Sequence, residues 1–312
     1  MIMNRVDQTA AIRALKNAAP YMRLYKGKTF VIKAGGGVFA DTETTRALVE
    51  QIAILHYFGV RVIFVHGGGP QLTELTEKLG VPTRMVQGRR VTDQNAIDVT
   101  SMVLNGLINT RVLAFCREMD IDAVGVSGVD AGLIVAHKRP PVELADGSGE
   151  TLDYGFVGDI VRIDTDVLRK LLDNGLMPIV SPLSADEHGM LLNINADTVA
   201  AALGAALNAE KLILCTGAPG ILERADDPSS LISYTDLAGL KALRDKGAML
   251  DGMLPKAGAI ESALRGGVRR VHVISYKAPE GILAEVFTNE GTGTLIVEDI
   301  SALAPAELAA SG

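Results

Sequence analysis

The sequence predicts an α/β fold: a three-layer αβα sandwich around a mainly parallel central sheet, extended by an N-terminal helix. Three observations support this class. Apolar strands alternate with amphipathic helices along most of the 312 residues, which is typical of a parallel sheet covered by helices on both faces. Glycine clusters follow several of the strands. In addition, 48% of the residues are hydrophobic, enough for a sizeable core.

The first half of the chain shows this alternation most clearly. Apolar, mostly β-branched runs followed by glycine predict strands at 29–33, 61–65 and 123–127. Apolar residues at helical spacing predict helices at 44–58, 70–79 and 93–119. Pro70 suits the first turn of its helix, where its missing N–H leaves no hydrogen bond unmade.

The middle of the chain interrupts this pattern. Two short alternating runs, 133–137 and 157–163, flank a polar stretch rich in Gly and Pro and predict an antiparallel hairpin with a long tip. The alternation then resumes, with strands predicted at 177–182, 190–194, 211–215 and 270–274 and helices at 196–207, 236–244 and 256–265.

No linker rich in Pro, Ser or charge divides the chain into independent domains. We expect two lobes that share one continuous sheet, at 27–188 and 189–300. Residues 1–26 predict a separate helix with an apolar stripe, ended or kinked at Pro20. Because this helix precedes the first core strand, it is expected to pack on another subunit or on its own domain. Residues 301–312 carry no assigned role.

Charge and cysteine usage exclude several classes of protein. The 30 Lys and Arg against 37 Asp and Glu give a net charge of -7, and no basic stripe indicates a nucleic-acid surface. No stretch of about 18 apolar residues predicts a membrane span, and the charged N-terminus lacks the apolar run of a signal peptide. Cys116 and Cys215 lie far apart in apolar runs, as expected of buried thiols in a reducing compartment. Together these features predict a cytoplasmic protein.

Three glycine clusters follow predicted strands and indicate an anion site. They lie at 35–37, at 67–69 and at 125 and 128. In an open α/β sheet the ligand crevice lies at the carboxyl ends of the strands, and glycine lets backbone N–H groups approach a ligand closely. Helix N-termini nearby add partial positive charge. The expected ligand is a phosphate or a carboxylate.

Two other glycine motifs fit poorly. Residues 35–40 match the loose dinucleotide fingerprint, but the second strand ends at His66 instead of the acidic residue that would bind ribose. This difference argues against a dehydrogenase. Residues 27–29 resemble the end of a phosphate-binding loop. Met22 replaces the required upstream glycine and the segment precedes a strand, so we interpret that match as accidental.

Four charged side chains are candidates for the site. Lys33 ends a buried strand, where an ammonium group is costly unless an anion neutralises it. Lys256 enters a helix, an end that disfavours a cation unless a ligand charge lies nearby. Asp197 begins a helix, and Arg90 lies in a polar turn. Taken singly, each residue also fits an ordinary surface lysine, a helix-initiating acid or a solvated turn.

A series of segments from about residue 20 to residue 297 resembles the amino acid kinase family. Each segment alone is unspecific, but their combination and order are highly specific. They are GKTFVIKAGG, VHGGGPQ, GRRVTD, GVSGVDAGLI, YGFVGDI, NINAD, TGAPGIL, DGMLPK and FTNEGTGTLI. Within the family, the sequence is similar to members that phosphorylate N-acetyl-L-glutamate in arginine biosynthesis. The resemblance therefore implies an ATP-dependent phosphotransferase with a carboxyl group as acceptor.

The resemblance implies a role for each matching residue. Lys33 and Lys256 would stabilise the transferring phosphoryl group, and Asp197 would hold both lysines. The residues implied in binding acetylglutamate are Gly36, Gly68, Gly69, Arg90 and Asn193. The nucleotide would lie along 211–222 and 247–256, at Thr216, Gly217, Gly220, Gly252 and Met253. Mg²⁺ would arrive on the ATP phosphates, so we expect no metal site on the protein itself.

The resemblance also implies assembly and regulation. Members inhibited by L-arginine carry an N-terminal helix that interlaces dimers into a hexamer, and this chain has such a helix. We expect a homo-oligomer, either a dimer or a hexamer of three dimers, with L-arginine as feedback inhibitor. The residues expected at the arginine site are Tyr21, Tyr25, His272, Glu290 and Gly291.

Three positions depart from the family's pattern. Gly217 stands where Asp usually follows Thr, Gly37 stands where Asn usually follows two glycines, and residues 275–277 are Ser-Tyr-Lys in place of Asp-Gly-Arg. The change at Gly217 leaves open a non-catalytic, regulatory subunit that binds arginine or a synthase partner. A sibling kinase acting on an aminoadipate carried by a small protein is a further alternative, which would favour added basic surface around Arg90.

Overall fold

The computed structural model describes residues 5–86, 89–144, 149–224, 226–249, 252–288 and 291–302. Its helices are α1 (Arg5–Tyr25), α2 (Thr42–Tyr57), α3 (Gly69–Lys78), α4 (Gln94–Ser101), α5 (Thr110–Glu118), α6 (Asp166–Asp173), α7 (Ala196–Ala206), α8 (Leu237–Asp245), α9 (Met253–Arg265) and α10 (Gly281–Phe287). Its strands are β1 (Thr29–Ala34), β2 (Arg61–His66), β3 (Arg84–Val86), β4 (Arg89–Val91), β5 (Ala123–Ser127), β6 (Ile134–Lys138), β7 (Val142–Glu143), β8 (Thr151–Leu152), β9 (Gly158–Ile163), β10 (Met177–Ser181), β11 (Leu183–Ala185), β12 (Leu191–Asn193), β13 (Lys211–Thr216), β14 (Tyr234–Asp236), β15 (Arg270–Ser275) and β16 (Thr294–Val297).

Eight strands form the central sheet, in the order β14-β16-β15-β13-β1-β2-β10-β5. Neighbouring strands are parallel throughout, except that β15 and β16 run antiparallel. The sheet joins strands from both predicted lobes, since β1 lies between β2 and β13. Lys33, near the carboxyl end of β1, is in register with Val65 on one side and Leu214 on the other. The predicted fold, helices around a mainly parallel central sheet, is confirmed.

Alternate residues of β1 enter two separate cores. Val31 belongs to an apolar cluster that includes Val199 of α7, whereas Phe30 and Ile32 belong to a second cluster that includes Ile52 of α2. All five side chains are buried. Because helices cover both faces of the sheet, both sets of side chains must be apolar, which explains why the strand shows no polar alternation.

A second, smaller sheet consists of four strands in the order β12-β11-β6-β9. The predicted hairpin is present, with β6 and β9 antiparallel, and its tip carries the short antiparallel pair β7 and β8. The strand expected at 190–194 is shorter, Leu191–Asn193, and pairs with β11. A turn closed by the N–H of Asp186 and the carbonyl oxygen of Met190, 3.0 Å apart, folds this segment back, so it does not join the central sheet.

The helix predicted at 93–119 is continuous, but its middle is wider than an α-helix. Residues Met102–Asn109 form a π-helical segment between α4 and α5. By length and composition the run Gln94–Glu118 could cross a membrane, yet half of its most apolar window is buried inside the protein, as in a core helix. Such π segments redirect side chains locally, and this one turns Asn109 into the sheet.

The N-terminal helix α1 extends further than Pro20, the residue at which the sequence predicted a kink or an end. Pro20 lies inside a helix that continues to Tyr25. The C-terminal turn then packs on the core, because the Tyr25 ring is buried and meets Phe30 edge-on, with the ring centroids 5.1 Å apart. The earlier turns present apolar side chains to solvent: Ile12 and Leu15 are 57% and 58% exposed.

Candidate active site

Lys33, Asp197 and Lys256 meet at the carboxyl edge of the central sheet. Lys33 Nζ lies 2.8 Å from Asp197 Oδ1, and Lys256 Nζ lies 2.9 Å from Asp197 Oδ2. All three side chains are buried, with 7–8% of each residue exposed. The residues come from β1, α7 and α9, which are far apart in sequence, and the structure brings them together as expected.

Local structure fixes the central carboxylate of this cluster. Asn195 caps α7: its Oδ1 accepts hydrogen bonds from the N–H groups of Asp197 and Thr198, at 2.8 and 3.2 Å. Asp197 therefore begins the helix, where the partial positive charge of the N-terminus favours a carboxylate. Lys256 occupies the first turn of α9 and approaches the same carboxylate from a second helix.

The cluster carries an excess of positive charge. Burial raises the pKa of the Asp197 carboxyl, but the ammonium groups of Lys33 and Lys256 lower it more, so its pKa falls below the ordinary value. Burial and the charge of Lys33 lower the pKa of Lys256, against the opposing effect of Asp197. Two ammonium groups facing one carboxylate leave one positive charge uncompensated in a buried place. Such a site favours a further anion.

The first two glycine loops touch each other beside this charge cluster. A Cβ atom on Gly36 would lie 2.5 Å from Pro70 Cδ and 3.0 Å from the backbone nitrogen of Gly69, so no side chain fits there. Gln71 Nε2 donates a hydrogen bond to the carbonyl oxygen of Gly36 at 2.9 Å. Gln71 was not among the predicted site residues, although it ends the segment VHGGGPQ on which the resemblance partly rests.

The second loop leads directly into α3, with Gly68 as the residue before the helix. A Cβ atom on Gly68 would lie 2.5 Å from Ile108 Cδ1 and 2.8 Å from Leu104 Cδ2, both in the π-helical segment. Gly69 is open, with no atom within 4 Å of the corresponding Cβ position. The close packing on one side holds the loop at the N-terminus of α3, an end of a helix whose free N–H groups can donate hydrogen bonds to an anion.

Arg90 lies in the hairpin of β3 and β4 and has only hydroxyl partners among the residues that the structure describes. Its Nη2 donates to Thr73 Oγ1 at 2.6 Å and its Nη1 to Thr83 Oγ1 at 3.1 Å. Burial lowers the pKa of its guanidinium. A partly buried guanidinium fixed by neutral groups keeps its charge available for a carboxylate ligand.

A backbone ladder connects the Arg90 hairpin with Asn193. Thr92 donates its N–H to the carbonyl oxygen of Tyr154 at 2.9 Å, and Phe156 donates its N–H to that of Thr92 at 2.7 Å. Asn193 in turn donates its N–H to the carbonyl oxygen of Phe156 at 2.8 Å. The segment around Tyr154 therefore bridges two residues that are about a hundred positions apart in sequence. The structure places Asn193 on the short strand β12, next to this ladder.

The residues expected on the nucleotide side lie where β13 ends and α9 begins. Thr216 ends β13, and its Oγ1 accepts a hydrogen bond from the N–H of Ala218 at 3.0 Å. Gly220 has no room for a side chain, since a Cβ atom there would lie 2.6 Å from Thr294 Oγ1. Gly252 precedes α9, which starts at Met253. Gly217 follows Thr216 directly, so this stretch lies beside the carboxyl end of β1 in the sheet.

A second buried cluster of charged groups surrounds His272. Its Nε2 lies 3.0 Å from Lys211 Nζ and its Nδ1 lies 2.7 Å from Glu285 Oε1, and Glu285 Oε2 accepts the N–H of Thr292 at 2.7 Å. The ring of Tyr25 covers Lys211, with Nζ 5.3 Å from the ring centroid. Lys211 begins β13, so this cluster lies toward the opposite edge of the sheet from Asp197.

Burial has the largest single effect on the pKa of each of the three charged groups in this second cluster. It lowers the pKa of His272 to about 4 and that of Lys211 to about 7. Burial alone would raise the pKa of Glu285, but the hydrogen bond and charge of His272 bring it down to about 2. The two groups titrate as a pair, because the pKa of each depends on the protonation state of the other.

Most residues expected at the regulatory site lie at or near this cluster. Tyr25 covers it, and a Cβ atom on Gly291 would lie 3.1 Å from Glu285 Oε2. Tyr21 packs edge-on against Phe287, with the ring centroids 6.5 Å apart. Glu290 lies outside the described residues. Sequence reasoning missed Glu285, an isolated charge in an apolar run, and placed Lys211 at the start of the nucleotide stretch 211–222, because nothing in the local pattern connects the two residues.

The fold and the first cluster define a class of protein: an α/β protein with two buried lysines held by one carboxylate at the carboxyl edge of a mainly parallel sheet. The sequence profile of the amino acid kinase family matches residues 28–275. The chain therefore belongs to the amino acid kinase family. Within the part of the chain that the structure describes, no group of three or more His, Cys, Asp or Glu side chains is arranged to hold a metal ion.

Relatives within the family span nearly the whole chain. An acetylglutamate kinase from Myxococcus xanthus is 47% identical over 92% of this chain and 94% of its own length. An acetylglutamate kinase from Symbiobacterium thermophilum is 41% identical over 94% of this chain and its own full length.

Among solved structures, N-acetylglutamate synthase from Neisseria gonorrhoeae is similar over 92% of this chain, with a TM-score of 0.79 and 27% identity. That structure contains coenzyme A and N-acetyl-glutamate, and this chain spans 63% of its length. A second structure of the same synthase, with coenzyme A and L-arginine, has a TM-score of 0.79 and 26% identity.

Proposed function

We propose that the protein is an acetylglutamate kinase, which transfers the γ-phosphoryl group of ATP to the side-chain carboxylate of N-acetyl-L-glutamate. The observation that carries this proposal is the pair of buried lysines held by Asp197, because phosphoryl transfer depends mainly on positioning and charge neutralisation. The relatives named above support the choice of acceptor. Both are named acetylglutamate kinase, and each aligns with more than nine-tenths of this chain.

The chemistry needs no general base. A side-chain carboxylate with an ordinary pKa of about 4.3 is already ionised at pH 7 and can act as the nucleophile. One of its oxygens forms a bond to the γ-phosphorus while the bond from that phosphorus to the β–γ bridging oxygen breaks, which releases ADP. Lys33 and Lys256 neutralise the charge on the transferring group, and Asp197 keeps both ammonium groups in place. Mg²⁺ held on the nucleotide phosphates would add to this neutralisation.

Acetylglutamate is bound mainly by groups of the first lobe, and Asn193 is contributed by the start of the second lobe. The N–H groups at Gly68 and Gly69 face the reacting carboxylate, beside Gly36. The Arg90 guanidinium binds the α-carboxylate through parallel hydrogen bonds, and Asn193 binds the acetyl-amide. This assignment is supported by the neutral partners of Arg90 and by the backbone ladder that joins its hairpin to Asn193.

ATP is bound mainly by groups of the second lobe. The nucleotide lies between the end of β13 and the start of α9, along Thr216, Gly217, Gly220, Gly252 and Met253. The division at residues 27–188 and 189–300 then separates acetylglutamate from ATP, except that the second lobe contributes Asn193 to acetylglutamate. The lysine pair spans this division, since Lys33 belongs to the first lobe and Lys256 to the second. Transfer therefore occurs where the two lobes meet.

The direct test is phosphorylation of N-acetyl-L-glutamate by ATP and Mg²⁺, with the acyl phosphate trapped by hydroxylamine. We expect hydroxamate and ADP in equal amounts, and much slower reaction with an N-acylated aminoadipate of one more methylene group. Faster turnover of the aminoadipate compound would indicate the sibling kinase. ATP binding without hydroxamate from either compound would instead indicate the regulatory subunit that Gly217 leaves open.

We further propose that L-arginine inhibits the enzyme at the second cluster, around His272 and Gly291. Glu285 offers an ionised carboxylate for a guanidinium or an α-ammonium group, and Tyr25 offers a ring to cover the stem. The synthase structure solved with L-arginine supports a fold of this type as an arginine receptor. The exposed apolar residues Ile12 and Leu15 support a role of α1 in joining dimers into a hexamer.

A further inference from the structure

The side chain of Tyr276 reaches from the end of β15 across the end of β13 to the first glycine loop. Its backbone N–H donates to the carbonyl oxygen of Thr216 at 2.9 Å, which anchors it beside the nucleotide stretch. A Cβ atom on Gly37 would lie 2.7 Å from Tyr276 Oη, and one on Gly217 would lie 3.6 Å from the same oxygen. The phenol oxygen therefore lies between two backbone loops that sequence separates by 180 residues.

The ring of Tyr276 is anchored, while its hydroxyl has no hydrogen-bond partner among the residues that the structure describes. The ring packs against the apolar cluster that contains Ile32 and Ile274. Within the described ranges the hydroxyl makes no hydrogen bond, although the side chain is only partly exposed. The same glycine loop also approaches the charge cluster, because a Cβ atom on Gly35, two residues before Gly37, would be 3.7 Å from Lys33 Nζ. A fixed ring with an unpaired O–H at this edge suits contact with an anionic ligand.

The three positions at which the sequence departs from the family's pattern meet at this point. Gly37 and Gly217 both lack side chains, and Tyr276 occupies the space that side chains there would approach. A side chain at Gly37 would displace the hydroxyl, and a carboxylate at position 217 would compete with a phosphate for the same donor. The three departures therefore lie in one place, where the phenol of Tyr276 replaces other polar groups around the nucleotide.

We propose that Tyr276 is a further nucleotide-binding residue, whose hydroxyl donates a hydrogen bond to a β- or γ-phosphate oxygen of ATP. This inference rests on the proposed function, since it places the nucleotide at the ends of β1 and β13. It also accounts for Gly217, because the tyrosine supplies a polar contact where the usual aspartate is absent. The nucleotide site then contains the hydroxyl of Tyr276 in place of the usual aspartate.

The test is Tyr276→Phe, which removes only the hydroxyl. Titration with AMP-PNP and Mg²⁺ measures nucleotide binding without turnover. We expect the Kd for AMP-PNP to rise about tenfold, as for loss of a hydrogen bond to a charged group, and the Kd for AMP to stay within twofold. The KM for acetylglutamate should stay within twofold. Tyr57→Phe is the matched control, because the Tyr57 hydroxyl bonds the carbonyl oxygen of Met119 away from the site, and all constants should remain at wild-type values.

A second variant tests the position of the hydroxyl. Gly37→Ala should push the phenol aside and weaken AMP-PNP, while the double variant with Tyr276→Phe should bind no more weakly than Gly37→Ala alone. Equal AMP-PNP binding by Tyr276→Phe and the wild type overturns the inference, even if the enzyme phosphorylates acetylglutamate. Failure of the wild type to phosphorylate acetylglutamate overturns the proposed function, while a tenfold loss of AMP-PNP binding would still support the role of Tyr276.

Discussion

Gln71 donates a hydrogen bond from Nε2 to the carbonyl oxygen of Gly36, 35 residues earlier in the chain. The bond is buried and ties the start of α3 to the first glycine loop. Loss of a buried partner usually costs about 1–3 kcal/mol of stability, and small displacements of a reacting group also slow catalysis strongly. The two loops therefore work as one rigid unit.

Replacing Gln71 by Leu should test this coupling. We expect the free energy of unfolding to fall by about 1–2 kcal/mol and kcat to fall about tenfold, with smaller changes in both KM values. Urea unfolding and the hydroxamate assay provide the measurements. Gln94→Leu is the control, since Gln94 bonds only the exposed Asp98 on its own helix. A variant with lower stability but wild-type kcat would show that the bond serves the fold alone.

Replacing Lys33 or Lys256 by Ala should reduce kcat at least about 10²-fold, in line with other preorganised electrostatic groups. The fold should survive, because each variant still leaves one ammonium group to pair with Asp197. Circular dichroism and the hydroxamate assay check both points. Lys241→Ala, which removes an exposed lysine paired with Asp245, should behave as the wild type. Turnover close to normal in Lys33→Ala would refute the assigned role.

Replacing Arg90 by Lys should weaken acetylglutamate far more than ATP. A guanidinium can hold a carboxylate with two parallel hydrogen bonds, and an ammonium group cannot reproduce that geometry. We expect the KM for acetylglutamate to rise at least about tenfold and the KM for ATP to stay within about twofold. Arg84→Lys, at an exposed position of the same hairpin, is the control. Equal effects on both substrates would mean that Arg90 only supports the hairpin.

The buried side chain of His66 should make the stability of the fold sensitive to acid. Its Nε2 lies 3.2 Å from Asn109 Nδ2, and burial lowers its pKa from 6.5 to about 4. Because the unfolded chain binds the proton more readily, this contribution to stability is complete above pH 6.5 and is lost as the pH falls toward 4. From pH 6.5 to pH 5 the loss amounts to about 2 kcal/mol.

Urea unfolding at pH 7 and pH 5 measures this difference in free energy. His66→Asn should remove about 2 kcal/mol of the pH dependence that the wild type shows between these values. His188→Asn changes an exposed histidine and should leave the dependence intact. Identical pH dependence in His66→Asn and the wild type would show that His66 takes up its proton without unfolding.

Deleting residues 1–20 should leave an active dimer with weakened sensitivity to L-arginine. The deletion removes the exposed apolar turns of α1 but keeps Tyr25 on the core. Light scattering gives the oligomeric state, and inhibition curves give the sensitivity. Exchange of Ile12 and Leu15 for Ser should have the same effect, while Asn17→Ala should not. A full-length dimer that ignores millimolar arginine would show that α1 serves only its own domain.

The sequence predicted six of the eight strands of the central sheet, all but β14 and β16, and the three charged groups at its edge. The strands are apolar on both faces, and Lys33 stands out because it interrupts such a strand next to glycine. The pairing of β12 with β11 was not visible, since a three-residue strand fits either sheet equally well. The π-helical segment was also missed, because its apolar spacing differs little from that of an α-helix over eight residues.

Contacts between distant loops were beyond sequence reasoning for a different reason. The patterns used describe single elements, whereas Gln71 and Tyr276 act on loops that other elements bring to them. The same holds for Lys211 and Glu285, which are joined only through His272. The resemblance supplied the residues that we propose as catalytic, and geometry alone supplied the residues proposed to hold or supplement them.

The uncompensated charge of the lysine pair also affects the stability of the protein when no nucleotide is bound. Without nucleotide, two ammonium groups face a single carboxylate, and their mutual repulsion lowers the free energy of unfolding of the chain. A ligand at a hundred times its Kd stabilises a folded protein by about 2.7 kcal/mol through mass action alone. A nucleotide that binds between the two lysines would therefore raise the stability of the folded chain as well as take part in the reaction.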